Sequence, residues 1–513
     1  MILWNNKFFF LTLPLVSSLM LILSFPSANQ AYLVWVSLLP LFFYCQSLSW
    51  KKAFWGGFLT GSVFFFYLLA YLVLGLDFVL PRSYGVLAVI ISSFYSAFFF
   101  GIFTLLVSLF IKNINVVVSI FAIPSSWVLL EYLRSLGLLG HTGGSLGFSQ
   151  SSYPLLLQNI ALYGYWGLPF LIVMFQVIIF FLVLSLIQKN FNIYRRSIIV
   201  GTFIFILLLG GGIIIPQLFP IEKREEALRI VLIQGNIPQE DVLEPAKSRG
   251  NFQKYLDLTR EAYNKYEPLD LIVWPETVLS TNVSRNFPAA EAEIARLSEE
   301  MGAPIFLGAM YEEKKLGHVY NSIFFQRPGY ASRDDYRYDK VRLVPFAEYF
   351  PNPALLNNIL ALDIPPGTYT PGNNPQGFKV NDFYFGGIVC FESYFPYPSI
   401  ELVQQGIEHL FVLTNDAWFL DSNGLAQHAQ AAAIRAVENG LGVTQVANTG
   451  YTVSYDFRGR EILNLPLQQD GFALLETKFP HRQTLYLLWG NYFLYLNLIL
   501  LVAGLWCKNI KLN

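Results

Sequence analysis

A long polar stretch, residues 221–485, interrupts a chain that is otherwise strongly apolar. The chain has 513 residues, of which 54% are hydrophobic and only 13% are charged. Soluble domains carry about 25% charged residues, so this composition indicates a membrane protein. Most charges lie between Glu222 and Arg482. The chain must therefore form a membrane part and one polar domain that is large enough for its own core.

The apolar parts contain eight stretches that we predict to span a membrane, since a span needs roughly 17–25 apolar residues. The flank of the first stretch is a poor cleavage site, so we interpret this stretch as a span and not as a signal peptide. The eight are Phe8–Leu23, Ala31–Leu48, Ala53–Leu76, Tyr84–Ile111, Val116–Leu133, Tyr163–Ile187, Ser197–Ile215 and Leu485–Leu505. This predicts three parts: a seven-helix membrane bundle (1–220), a polar domain (221–484), and an eighth helix with a tail (485–513).

The basic residues of the short loops predict the orientation, because cytoplasmic loops are enriched in lysine and arginine. With a cytoplasmic N-terminus, the outside loops hold Arg82 and Arg134, and the inside positions hold Lys7, Lys51, Lys52, Lys112, Lys189, Arg195, Arg196, Lys508 and Lys511. The polar domain then lies outside the cytoplasm. The net charge of −1 gives no indication of nucleic-acid binding.

Within the polar domain, short β-rich runs alternate with helical patterns, which predicts a sheet covered by helices. The predicted strands are Leu228–Ile233, Leu269–Trp274, Pro304–Gly308, Ile323–Gln326, Phe383–Val389, His409–Leu413 and Val443–Val446. The predicted helices are Phe252–Tyr266, Ala289–Met301, Tyr397–Gln405 and Gln427–Asn439. Glu276, Cys390 and Asn415 follow strand ends, where α/β folds gather their sites.

Cys390 is the only cysteine of the polar domain, and Cys45 and Cys507 fall near the cytoplasmic ends of their spans. It is therefore either an inert buried thiol or a nucleophile. Glu276 could act as its base, Lys340 could stabilise an oxyanion, and the N–H of Phe391 could help. We predict that these side chains meet at one spot near the lipid, with the sulfur charged. We expect neither a metal nor a cofactor, because no zinc-site spacing or nucleotide motif is present.

Three segments resemble the Glu-Lys-Cys triad of the nitrilase (carbon–nitrogen hydrolase) superfamily. They are Trp274-Pro275-Glu276, Tyr338-Asp339-Lys340 and Cys390-Phe391-Glu392. A nitrilase-like domain between seven spans and a final span resembles the arrangement in the apolipoprotein N-acyltransferase family. Three further segments also resemble sequence signatures of this family: Gln234–Gln239, Pro345–Pro351 and Thr414–Phe419.

The resemblance implies a nitrilase-like α-β-β-α sandwich on a bundle of eight transmembrane helices in the bacterial inner membrane, with the sandwich in the periplasm. It implies ping-pong transfer of an acyl chain from a phospholipid, through a thioester, to the N-terminal amine of diacylglyceryl-cysteine apolipoproteins. Glu276 would be the base, Lys340 the stabiliser and Cys390 the nucleophile. Glu348, Phe391 and Glu392 would support them. We expect Asn415 and Trp418 to contact substrate, and we expect a monomer.

Two other functions stay open at this point. A membrane-tethered nitrilase-type amidase would pass the same acyl group to water, although one span would suffice to anchor it. A non-catalytic transporter or sensor would use the outer domain for binding, but few charges lie within the spans. One further segment, Ala354–Leu362, is predicted to be a short helix that acts either as a lid or as an ordinary element of the core.

Overall fold

The computed structural model describes residues 7–78, 81–113, 115–280, 289–313, 315–330, 336–350 and 369–510. These residues form two compact units, which are described separately. The first unit draws on 1–73, 83–219 and 484–513, and the second on 74–82 and 220–483. The predicted segment Ala354–Leu362 lies outside the described residues.

The first unit is helical. Its described helices are Lys7–Ser24, Leu39–Ser47, Trp50–Leu69, Arg82–Asn113, Val116–Arg134, Pro154–Tyr163, Gly167–Ile187, Phe191–Ile214, Leu485–Trp489 and Tyr492–Ile510. Within the described part of the chain, five regions are long and apolar enough to cross a membrane: Trp50–Leu69, Arg82–Lys112, Val116–Arg134, Gly167–Ile187 and Phe191–Leu218. The first, second and eighth predicted spans contain shorter apolar helices, so the count of eight stays a prediction.

Two of the shorter regions are interrupted. Ala31–Leu48 divides into a 3₁₀ turn, Ala31–Trp35, and a helix that begins at Leu39 with a proline in its first turn. The last region is interrupted at Gly490, whose φ of +60° is accessible to glycine at little cost. Apolar composition therefore predicted where these segments lie, but not where the backbone breaks within them.

The second unit contains two six-stranded sheets among its described residues. In the first, β1 (Leu228–Gln234), β2 (Leu271–Val273), β3 (Ile305–Glu313), β4 (His318–Gln326), β5 (Arg337–Asp339) and β12 (Gly471–Thr477) follow the order β12-β1-β2-β3-β4-β5. In the second, β6 (Phe378–Val380), β7 (Phe383–Val389), β8 (His409–Thr414), β9 (Gly442–Ala447), β10 (Val453–Tyr455) and β11 (Glu461–Asn464) follow the order β11-β10-β9-β8-β7-β6. Strands β1, β2 and β3 are parallel, as are β7, β8 and β9.

Three apolar cores define the layers. Residues of both sheets, including Phe306, Phe385 and Phe411, fill the space between them. Helices Ser248–Tyr266 and Ala290–Met301 cover the outer face of the first sheet, and Ser399–Gln404 and Asn423–Asn439 cover that of the second. The unit also includes the short helix Gln239–Leu243 and the last three residues of the helix Tyr71–Leu76. The predicted α-β-β-α sandwich is thus confirmed.

All seven predicted strands and four predicted helices of this unit are present, with bounds that differ by a few residues. The sequence analysis missed β5, β6, β10, β11 and β12, which are short or partly exposed. Strand β12 pairs with β1, from Leu228 with Thr477 to Gln234 with Gly471, although the two strands lie at opposite ends of the domain's sequence. Such a distant pairing leaves no local pattern in the sequence.

Candidate active site

Glu276 lies just beyond β2 in the turn that follows Trp274 and Pro275. Its carboxylate is 7% exposed and accepts hydrogen bonds from Asn321 Nδ2 (2.7 Å) and from the backbone N–H of Asn415 (2.7 Å). Gly308 of β3 makes room for this turn, because a Cβ there would lie 2.5 Å from the Cα of Glu276. The base candidate is therefore fixed by groups from both sheets.

Lys340 directly follows β5 and is 1% exposed. Its ammonium lies 2.8 Å from Glu348 Oε1 and 3.9 Å from Glu276 Oε1. Asn321 of β4, which the sequence analysis did not identify, donates to both carboxylates, at 2.7 Å to Glu276 and 3.3 Å to Glu348. One cation thus compensates two buried carboxylates, and a neutral amide holds those carboxylates in place.

Cys390 begins a 3₁₀ turn, Cys390–Tyr394, directly after β7. Its φ is +50°, a left-handed conformation that is uncommon for a residue with a side chain. Cys390 is a free cysteine, and the residue as a whole is partly buried. Its pKa responds to the charges of Glu276 and Lys340, so the structure brings the three predicted side chains together.

Glu392, two residues after Cys390, is fully buried and ties this turn to the segment that carries Lys340. Its carboxylate accepts hydrogen bonds from the Tyr338 hydroxyl (2.7 Å to each oxygen) and from the backbone N–H groups of Val341 (2.8 Å), Arg342 (3.1 Å) and Val389 (2.8 Å). Tyr338 and Val341 flank Asp339 and Lys340. Glu392 thus connects the turn of Cys390 to the segment that carries Lys340.

The protonation states differ from the expectation of a charged sulfur. Burial raises the pKa of the Cys390 thiol well above its usual range, and the Glu276 carboxylate raises it further, while Lys340 lowers it. Burial also raises the pKa of Glu276. Both pKa shifts favour the neutral forms and do not support the predicted charged sulfur. Two anions close together in a buried site would repel each other, so a thiolate beside an ionised Glu276 is disfavoured.

Lys340 stays charged. Burial lowers its pKa, but the negative charges of Glu348 and Glu276 and the hydrogen bond to Glu348 outweigh burial and raise the pKa overall. A permanent ammonium beside the sulfur is suited to stabilise an oxyanion that forms on an attacked carbonyl.

Asn415 belongs to a buried amide network beyond β8 and β9. Its side chain donates to Gln239 Oε1 (3.1 Å) and accepts from Asn448 Nδ2 (2.9 Å), while Asn448 Oδ1 accepts from the Tyr255 hydroxyl (2.8 Å). The side chain of Asn415 is therefore occupied within the protein, and its backbone N–H orients Glu276. A positioning role fits this geometry better than the substrate contact that we predicted. Asn448, which we had not singled out, follows a predicted strand end.

Trp418 and Phe391 are the two aromatic candidates. Trp418 is half-buried, and its ring contacts Phe78 edge-on at 6.0 Å between centroids. Phe391 is half-buried and packs against Tyr394 and Phe395. Phe78 belongs to the segment 74–82, which begins inside the predicted span Ala53–Leu76 and continues into the loop that follows it. That its ring would contact Trp418 could not be read from the sequence.

Among the described residues, Cys390, Asp416 and His428 offer sulfur, oxygen and nitrogen atoms that lie within 4.8 Å of one another. Both ring nitrogens of His428 already face oxygen atoms, at 2.7 Å from Asp416 Oδ1 and 3.0 Å from the Cys390 carbonyl. A metal would have to displace these hydrogen bonds. The absence of a metal stays a prediction.

Comparison with known proteins covers both units. Residues 17–178 match the apolipoprotein N-acyltransferase N-terminal domain, and residues 229–479 match the carbon–nitrogen hydrolase family. Similar proteins include the apolipoprotein N-acyltransferases of Geobacter metallireducens, 29% identical over 93% of this chain and 91% of that protein, and of Thermotoga maritima, 29% identical over 98% and 94%.

A solved amidase of the nitrilase superfamily from Nesterenkonia AN1 is 16% identical and has a TM-score of 0.40, covering 55% of this chain and 99% of that one. The apolipoprotein N-acyltransferase of Brucella melitensis is 30% identical over 70% of this chain and 67% of that protein. Matches of this extent, across the helical unit as well as the sandwich, place the chain in the apolipoprotein N-acyltransferase family.

Proposed function

We propose that this chain transfers an acyl chain from a phospholipid, through a thioester on Cys390, to the N-terminal amine of diacylglyceryl-cysteine apolipoproteins. The observation that carries the proposal is the convergence of Glu276, Lys340 and Cys390 in a protein with several apolar helices. A thiol, a base and a fixed cation form a complete set for acyl transfer. The names of the relatives supply the substrate class.

The first half-reaction loads the enzyme. Glu276 takes the thiol proton, and the sulfur attacks the ester carbonyl of the phospholipid. The carbonyl oxygen becomes an oxyanion, which the Lys340 ammonium stabilises. The carbon–oxygen bond of the ester then breaks, and the lysophospholipid alcohol leaves with the proton that Glu276 had taken.

The second half-reaction unloads the enzyme. The amine of the acceptor attacks the thioester carbonyl, and Glu276 takes a proton from the attacking nitrogen. When the carbon–sulfur bond breaks, that proton returns to the sulfur, so an amide and a free thiol are produced. The same base thus acts in both directions in a ping-pong course.

A membrane location suits substrates of this kind. Both carry long acyl chains, and moving such a chain out of the bilayer costs about 0.8 kcal/mol per CH₂. We place the enzyme in the bacterial inner membrane as a monomer, with eight spans and the parts 1–220, 221–484 and 485–513. The excess of basic residues in the inside loops supports a periplasmic sandwich.

The test follows the acyl chain. Purified protein is incubated with a phospholipid of defined chain length, and intact-mass spectrometry is expected to show one acyl adduct on the peptide that contains Cys390. Addition of a diacylglyceryl-cysteine peptide should remove the adduct and yield an amide. Cys390→Ala should form no adduct, while Cys45→Ala, a change at a buried cysteine of the helical unit, should behave as the wild type.

Two results would contradict the proposal. Normal amide formation by Cys390→Ala would exclude the thioester. Release of free fatty acid without amide, in the presence of the acceptor, would identify the chain as a hydrolase.

A further inference from the structure

A buried histidine and a buried aspartate lie next to the backbone of Cys390, and the mechanism above does not use them. His428 lies in the helix Asn423–Asn439 and is 1% exposed, while Asp416 follows β8 and is fully buried. His428 Nδ1 lies 2.7 Å from Asp416 Oδ1, and His428 Nε2 lies 3.0 Å from the carbonyl oxygen of Cys390. The ring therefore joins the turn that carries the sulfur to the end of a neighbouring strand.

The partners of the ring define its protons. A backbone carbonyl only accepts hydrogen bonds, so Nε2 must carry a hydrogen. At Nδ1 a second proton is shared with a carboxylate oxygen that already accepts from the Thr414 hydroxyl at 2.8 Å. An imidazolium paired with a carboxylate satisfies every one of these contacts. The ring of Tyr394 stacks on His428 at 5.6 Å and 8°, an arrangement that favours a cation.

We propose that His428 is a positioning residue which, as an imidazolium paired with Asp416, holds the carbonyl of Cys390 and thereby fixes the turn that presents the sulfur. This inference rests on the proposed function for its kinetic consequence only. The protonation state of the ring and the reactivity of the thiol can be measured without any substrate.

The backbone at Cys390 explains the need for such a partner. Strand β7 ends at Val389, and Cys390 follows with a left-handed φ and with its carbonyl oxygen 3.0 Å from His428 Nε2. The surrounding structure must over-determine such a conformation for it to persist. Glu392 holds the turn through the N–H of Val389, and His428 holds it through the carbonyl of Cys390.

The charges around the two groups predict how substitutions act. Asp416, the Cys390 carbonyl and Glu276 favour the charged form of His428, and they outweigh burial, so its pKa is raised overall. Cys390 is faced by Glu276, Lys340, Asp416 and the Thr414 hydroxyl. Removing the imidazolium alone leaves the anion of Asp416 near the sulfur, which disfavours a thiolate. Removing both charges restores neutrality.

The experiment compares His428→Gln, Asp416→Asn and the double variant with the wild type. Alkylation of Cys390 by iodoacetamide is followed against pH by peptide mass spectrometry, and acyl-enzyme formation is followed with phosphatidylethanolamine vesicles. For His428→Gln we expect the alkylation midpoint to rise by about one pH unit and acylation to slow by ~100-fold. Asp416→Asn should slow acylation by about tenfold. The alkylation midpoint of the double variant should lie closer to that of the wild type than the midpoint of His428→Gln does.

His409→Gln is the matched control, because His409 is also buried and bonded, to Thr444 at 2.8 Å, but does not contact Cys390. It should keep the alkylation profile of the wild type. Equal effects of His409→Gln and His428→Gln, or an unchanged profile in His428→Gln, would overturn the proposal.

Ring-nitrogen NMR of the wild-type protein tests the charge directly and needs no variant to fold. The chain has 5 histidines, and the expected result is a His428 imidazolium at neutral pH. A neutral ring would overturn the proposal. Absence of an acyl adduct in the wild type would refute the proposed function, whereas the alkylation and NMR results would still decide the role of His428.

Discussion

The two sheets of the sandwich contribute different chemistry to the site. The first sheet supplies charge: Glu276 follows β2, Lys340 follows β5, and Asn321 of β4 bonds both Glu276 and Glu348. The second sheet supplies the sulfur, at the end of β7, and its other groups nearby hold the backbone in place. Asn415 and Asn448 do so after β8 and β9.

This difference separates charge from backbone geometry as two contributions to the candidate site. The charges of the first sheet are mutually compensated, with Lys340 between two carboxylates. The second sheet provides geometry, through a left-handed backbone at Cys390. Each sheet can therefore be disturbed separately, and the substitutions below are chosen to do so, from the largest expected effect to the smallest.

Replacing Glu276 by Gln should give the largest loss, a fall in the rate of acyl-enzyme formation of about 10³-fold, because the amide cannot take the thiol proton. Burial raises the pKa of Glu276, so wild-type activity should be lost as the pH falls through a value above that of an ordinary glutamate. The same shift disfavours the ionised carboxylate in the folded state at neutral pH. In the variant this cost is relieved, but the amide nitrogen of Gln would face the N–H of Asn321 or of Asn415, so we expect the melting temperature to change little.

Single-turnover mass spectrometry across pH and thermal unfolding would check both expectations. Glu261→Gln, on an exposed position of a helix, serves as the control. A variant with wild-type rates at neutral pH would show that another group is the base.

Replacing Lys340 by Met should slow acylation by about 10²-fold, because the oxyanion loses its cation. It should also destabilise the fold by about 3–5 kcal/mol, because Glu276 and Glu348 would remain buried without a counter-charge. Denaturant unfolding and acylation rates would measure both. The control Lys247→Met, which breaks an exposed pair with Asp241, should change neither. Full stability in Lys340→Met would show that the carboxylates do not depend on this ammonium.

Replacing Tyr338 by Phe tests the link between the sheets, since its hydroxyl donates to Glu392 at 2.7 Å. We expect a stability loss of about 1–3 kcal/mol and a fall in acylation of roughly tenfold, because Lys340 and Cys390 would be less precisely placed. Tyr336→Phe is the matched control, because it removes, just before the start of β5, a hydroxyl bond to the Gln376 carbonyl, whereas Lys340 follows the end of that strand. Similar rate losses in both variants would argue against a positioning role for Glu392.

Replacing Gly387 by Ala should affect the distance between the sheets and leave the chemistry nearly unchanged. A Cβ there would lie 2.4 Å from Phe306 Cζ across the central core. We expect a stability loss of about 1–3 kcal/mol and near-normal acylation by the folded protein. Gly471→Ala, whose Cβ would meet no atom closer than 3.9 Å, should cost much less. A large rate loss without a stability loss would mean that sheet spacing controls the site.

The sequence predicted the parts of the site that follow strong strands. Apolar runs such as Phe383–Val389 are recognisable without a structure, and chemical residues at their ends are natural candidates. The sequence could not show that Asn321 bonds to Glu276 or that His428 meets the Cys390 carbonyl, because both contacts depend on which atoms the fold brings together. The edge strands β6 and β11 were also missed, since three or four residues carry too little pattern.

By itself the sequence determined the division into apolar helices and a polar sandwich, because the composition of each segment decides which solvent it can tolerate. It also predicted which side chains would act as nucleophile, base and cation. Only the tertiary structure decided that burial raises the pKa of the Cys390 thiol, that one lysine serves two carboxylates, and that His428 meets the Cys390 carbonyl. The physical reason is that pKa values and hydrogen bonds depend on burial and on distances of a few ångströms between residues far apart in the chain.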